Sequence, residues 1–139
     1  MFHFRRRALG WIFAVLLAGP LPAAFGARAA EQAFPFGSDL ILDSDPLYGS
    51  KRIPMIEIDD DGVAAIDLWC ASVHGQATVG ANSITIVAEP ADEAQCSPER
   101  QAGDQNLLTA LSQATNWRRD GETVELSGAT TLRFRLMTN

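Results

Sequence analysis

The chain has 139 residues, with eleven basic and seventeen acidic side chains for a formal net charge of −6, and 47% of its residues are hydrophobic. All seventeen acids but only seven of the bases lie beyond residue 29, so the portion from residue 30 onward carries −10. That sign repels phosphate backbones and anionic headgroups, and no basic stripe is interleaved with aromatics, which argues against a nucleic-acid partner.

The first 29 residues read as a secretory signal peptide. Arg5, Arg6 and Arg7 form a basic start, Ala8 to Ala18 an apolar run, and Pro20 and Pro22 end it. The run falls short of the roughly twenty residues a membrane span needs, so stable membrane insertion after cleavage is not expected. Ala27-Arg28-Ala29 places cleavage after Ala29, with Gly26 as the second choice. Pro20 follows Leu16-Leu17-Ala18-Gly19 where lipidation needs a cysteine, and the residues flanking a twin-arginine signal are missing, so the general secretory route fits best. The expected address is periplasmic or secreted. The 110 remaining residues suffice for one small domain, for which a monomer is expected.

Residues 30–52 read as an extended segment and loop. Phe34 and Phe36 flank Pro35, an arrangement that lays them along the domain or tucks one ring into it, and Leu40-Ile41-Leu42 is a short strand. The loop D-S-D-P-L-Y-G-S-K-R is rich in turn formers. Asp39, Asp43 and Asp45 lack the register of a calcium loop and read as solvated acids.

From Ile53 the pattern is β. Met55, Glu57 and Asp59 alternate with Ile56 and Ile58, Asp60-Asp61-Gly62 turns the chain, and Val63 to Trp69 returns. Three consecutive aspartates at a hairpin tip are turn chemistry before they are a metal site. Ser72 to Val79 and Ser83 to Ala88 form the next pair, with Ile84, Ile86 and Ala88 on one face and Thr85 and Val87 on the other. His74 lies in the first of these strands. With no second histidine beyond residue 29 and no G-x-S-x-G elbow, it reads as a strand residue rather than a base.

Cys70 and Cys96 are the only cysteines, and in an exported chain they are expected to form one disulfide. There is no C-x-x-C pair to suggest metal binding or redox chemistry. Ser97-Pro98-Glu99 carries the marks of a helix start, but Gly103 is expected to interrupt that turn, so the main helix is placed at Asp104 to Thr115 with Leu107, Leu108, Leu111 and Ala114 as its apolar stripe. Asn116 to Arg119, Thr123 to Leu126 and Thr131 to Met137 complete the β structure, the last with Leu132, Phe134 and Leu136 inward and Arg133 and Arg135 outward.

The order of these elements resembles the META domain, or HslJ-like, family over about Ile53 to Met137, here taken as a domain of residues 53–139. The family shows a G-C-N triplet followed by a glycine five residues after the cysteine. Cys70 and Gly75 match, while Trp69 and Ala71 replace the glycine and the asparagine. Leu107-Leu108-Thr109-Ala110-Leu111 and the T-V-E-L and L-R-F-R-L segments resemble the family's helix and closing strands. The resemblance implies an α+β fold, an antiparallel, partly closed barrel-like sheet with one amphipathic helix packed against it. It supplies no catalytic residues to carry over and fits a stress-related envelope protein; from the residues themselves no cofactor and no metal are expected.

The function expected is therefore non-enzymatic binding of a protein or small molecule, for which an exposed Trp or Phe beside a concave face would be the marker. The alternative is an acidic inhibitor-type module that presents Asp39 to Asp45 or Asp59 to Asp61 to a basic enzyme. A hydrolase using paired carboxylates is weakest, because nothing fixes two acids across a cleft.

Overall fold

The computed structural model describes residues 32–92 and 95–137. The expected signal peptide lies outside them.

The described residues form eight strands and one helix: β1 (Leu40–Leu42), β2 (Met55–Ile58), β3 (Val63–Asp67), β4 (Ser72–Val79), β5 (Ile84–Ala88), α1 (Pro98–Ser112), β6 (Asn116–Asp120), β7 (Thr123–Ser127) and β8 (Thr131–Leu136). They make one antiparallel sheet in the order β5-β4-β3-β2-β1-β8-β7-β6. Its two outer strands meet through a bridge between Ser83 and Asn116 and through the Trp117 N–H donated to the Asn82 carbonyl at 3.0 Å. The result is the expected α+β architecture, a nearly closed barrel with one helix packed against it.

Alternation along each strand decides what faces inward. Leu40, Ile56, Ile58, Ile66, Ile84, Ile86, Val124, Leu126 and Phe134 are all buried and fill the interior. Burying each such side chain stabilises the fold by roughly 1.5 to 3 kcal/mol, which is how a domain this small holds together. Phe34 is buried while Phe36 stays exposed, so one ring of the expected pair is tucked in.

The helix differs from expectation. It begins at Pro98, runs unbroken through Gly103 and ends at Ser112. Gly103 is there for close approach: a Cβ at that position would sit 2.7 Å from Leu47 Cδ1 and 3.2 Å from Trp69 Cε3. Tertiary packing has overridden the propensity that made glycine look like a breaker. α1 crosses one end of the barrel, from the β3–β4 turn to the β7–β8 turn, where Gly128 lies against the Gln113 carbonyl. Leu107 and Leu111 are its buried apolar residues, and Ala114, just past its end, is buried as well.

Candidate functional site

At the helix end of the barrel the β3–β4 turn, α1 and the β1–β2 loop converge. Leu68 donates its N–H to the Ala71 carbonyl at 2.8 Å, closing the turn. The N–H groups of Trp69, Cys70 and Ala71 then point at one side chain from α1: Asp104 Oδ1 accepts from Trp69 at 2.9 Å, and Oδ2 accepts from Cys70 at 3.2 Å and Ala71 at 3.0 Å. Asp104 is 0% exposed, a carboxylate whose solvation is replaced by three backbone donors. The Cys70–Cys96 disulfide fastens the same turn to the chain just before α1, with the Cα atoms 6.0 Å apart.

The loop from Asp43 to Pro54 is tied onto this knot. Leu47 packs over Gly103, and the Ser50 N–H reaches back to the Leu47 carbonyl at 2.9 Å. Arg52 donates to the Cys70 carbonyl at 3.0 Å and to Ser72 Oγ at 3.2 Å, and pairs with Asp67 at 3.4 Å. The Trp69 Nε1 is buried with no hydrogen-bond partner.

The residues weighed from sequence are scattered. His74 is exposed on the outer face of β4, beside Val63, Gln76, Val87 and Glu89 around a shallow concavity of about 280 Å³. The carboxylate of Asp59 accepts the N–H groups of Asp61 at 3.0 Å and Val63 at 2.8 Å, so it shapes the hairpin tip. Asp43 pairs with Arg135 at 3.3 Å, and the Asp39 carbonyl accepts the Met137 N–H. Among the described residues no group of three His, Cys, Asp or Glu side chains gathers as metal ligands would.

Two other outer surfaces have definite chemistry. On β6, β7 and β8, Arg118 and Arg133 both bind Glu125, one on each carboxylate oxygen, and hold its carboxyl below the usual glutamate range, the Arg118 hydrogen bond being the larger cause and the Arg133 hydrogen bond the next. At the end of the barrel away from α1, Phe34, Phe36 and Trp117 line a concavity of about 330 Å³ with Val79, Gly80 and Ala81. Phe34 meets Trp117 edge to face at 5.1 Å, and Trp117 Nε1 donates to the Gly80 carbonyl at 2.9 Å. Of these three rings only Phe36 is exposed, Phe34 and Trp117 being buried, and the surface lies at the opposite end of β4 from Cys70. Sequence reasoning missed Asp104 as the buried side chain that holds the β3–β4 turn. The signal was present: it lies three residues before Leu107 and seven before Leu111, in phase with the apolar stripe.

No curated protein matches the sequence. A solution NMR structure of another protein shares the fold with a TM-score of 0.57 at 15% identity, over 71% of this chain and 88% of that one. The META domain family model matches residues 39–139, a span that takes in β1 as well as the stretch carrying Cys70 and Gly75. Gly75 has a physical reason for being glycine, since a Cβ there would lie 2.6 Å from the Val87 carbonyl oxygen where β4 passes β5. From β1 to the last described residue, this chain belongs to the META domain family.

Proposed function

We propose that the chain is an exported, non-enzymatic domain of the periplasm or cell envelope, with a stress-related role in binding a protein partner. The observation that carries this reading is the state of the interior. The barrel is filled with aliphatic and aromatic side chains, so it offers a ligand its outer surface rather than a lumen. Three of the acids have structural work: Asp104 in the turn, Asp59 in the hairpin, Glu125 between two arginines. The disulfide supports an oxidising compartment. No described helix is long and apolar enough to cross a membrane.

The test is to express the full chain in a bacterium at native level and follow it by fractionation, mass spectrometry and native sizing. The expected result is an oxidised chain beginning at residue 30 in the periplasmic fraction, eluting there above its monomer size and at monomer size once purified. Retention in the cytosol with reduced cysteines would sink the export half, and monomer size in the periplasmic fraction would sink the binding half. The inhibitor-type alternative draws support from the loop between β1 and β2, which is held at the surface by contacts on both sides of its tip. It requires that the purified domain slow a cationic envelope hydrolase, less so at high salt.

A further inference from the structure

Beyond residue 29 the chain has two methionines, Met55 and Met137, and neither is in the core. Methionine is the flexible side chain that fills irregular core gaps, yet every buried aliphatic residue of the described core larger than alanine is Leu, Ile or Val. Strand alternation puts both thioethers on the outer face of the barrel instead. Met55 stands opposite Ile41 where β2 pairs with β1. The Met137 N–H is donated to the Asp39 carbonyl at 3.0 Å, which sets Met137 two residues from Ile41 on the same face. The two line one concavity of about 310 Å³ with Ile41, Ile53, Lys51 and Arg52. Met137 is 47% exposed and Met55 is half-buried, so both can be reached from water.

A thioether is oxidised where an oxidant can reach it. The other sulfur atoms and both indoles beyond residue 29 are withdrawn: Cys70 and Cys96 are bonded to each other, and Trp69 and Trp117 are buried. The product of oxidation is a polar sulfoxide, which would disrupt a core. Here it would face water, with the N–H donors of Lys51 and Arg52 lining the same concavity. We infer that Met55 and Met137 form a reversible oxidation site, which takes up a two-electron oxidant such as hypochlorous acid at the barrel surface and spares the fold. In that step each sulfur gives up two electrons and gains one oxygen, while the chlorine accepts the electrons and leaves as chloride and the proton goes to water. A reductase dithiol reverses it: two electrons and two protons convert the sulfoxide to thioether and water, and the dithiol becomes a disulfide.

The purified full chain, its disulfide intact, is given rising molar ratios of hypochlorous acid and followed by peptide mass mapping and thermal melting. The expected result is that Met55 and Met137 each gain one oxygen before Tyr48, Trp69 or Trp117 is altered, with the melting temperature unchanged. A methionine sulfoxide reductase should then restore both thioethers in the folded protein. The Met55→Leu, Met137→Leu double variant conserves volume and should melt as wild type before treatment. After the dose that oxidises both methionines of wild type it should melt at least about 4 °C lower than treated wild type, because the oxidant then reaches groups that hold the fold. Oxidation of Met55 only on unfolding overturns the pairing of the two sulfurs. A lower melting temperature for the doubly oxidised protein overturns the sparing of the fold, and sulfoxides that the reductase leaves in place overturn reversibility. Equal survival of the double variant overturns the role of the methionines as oxidant acceptors. None of these outcomes depends on the protein-binding role.

Discussion

A carboxylate with no exposure is tolerated only where its hydrogen bonds replace the water it has lost. Asp104 meets that condition with three backbone donors. Asp104→Ala would leave three N–H groups facing a cavity, and each buried orphan costs about 1 to 3 kcal/mol. Partial relaxation of the turn makes a loss of about 3 to 5 kcal/mol the expected result in urea unfolding, with Asp104→Asn between the two because one acceptor oxygen survives. An unchanged urea midpoint for the alanine variant would show that the carboxylate does not hold the turn. Glu125 behaves differently, being at the surface. Its carboxyl titrates lower when folded than when unfolded, owing first to Arg118 and then to Arg133, so folding is favoured above the ordinary glutamate pKa and that contribution disappears as pH falls through the folded value. Glu125→Gln should therefore unfold more easily than wild type near neutral pH and indistinguishably at about pH 2, by denaturant midpoints at the two pH values. A gap that persisted in acid would assign its effect to packing instead of charge.

Strands were legible because each repeats a two-residue pattern that local sequence displays, as Ile84 and Ile86 inward with Thr85 and Val87 outward demonstrate. The helix start at Ser97-Pro98 was legible too, but its continuity was not, because what happens at Gly103 is decided by Leu47 and Trp69, residues far away in the chain. Gly103→Ala should gain up to about 1 kcal/mol of helix propensity. Its Cβ would press mainly on Leu47 Cδ1, the far end of a flexible side chain, so the net change should be small. Gly103→Val adds branches that have no such outlet and should cost about 1 to 3 kcal/mol while unseating the loop. Limited trypsin digestion reads the second effect directly, since Lys51 and Arg52 lie in that loop, and cleavage there should quicken in the valine variant alone. At Gly75 the neighbour is backbone, 2.6 Å away at the Val87 oxygen, and cannot yield without parting β4 from β5. Gly75→Ala is accordingly expected to lose about 2 kcal/mol in the same unfolding assay, and a neutral result would refute the close-approach account.

Closure of the whole barrel is the feature least visible in sequence. β1 pairs with β8 through Leu40 with Leu136 and Leu42 with Phe134, joining the first strand to the last across nearly the full domain, and no local pattern announces such a pairing. The cysteine pair was legible from count and compartment, but what it fastens was not: the disulfide and Asp104 both secure the β3–β4 turn against α1, one covalently and one by hydrogen bonds. Between the cysteines, 26 positions apart, lie β4 and β5, and opening a loop of that size removes about 3.5 kcal/mol by the chain-entropy account. The other strand pairings do not pass through the bridge, so the Cys70→Ser, Cys96→Ser double variant should keep its sheet and melt at a lower temperature. Two fastenings on one turn should also back each other up. With the disulfide present, loss of Asp104 leaves the turn in place; with both gone, the turn separates from α1 and the Leu47 contact goes with it. A double-mutant cycle between Asp104→Ala and the cysteine pair should therefore show a combined loss exceeding the sum of the separate losses by at least about 1 kcal/mol. Additivity within about 0.5 kcal/mol would mean that the two act on separate parts of the fold, and that the turn is held to the helix by packing.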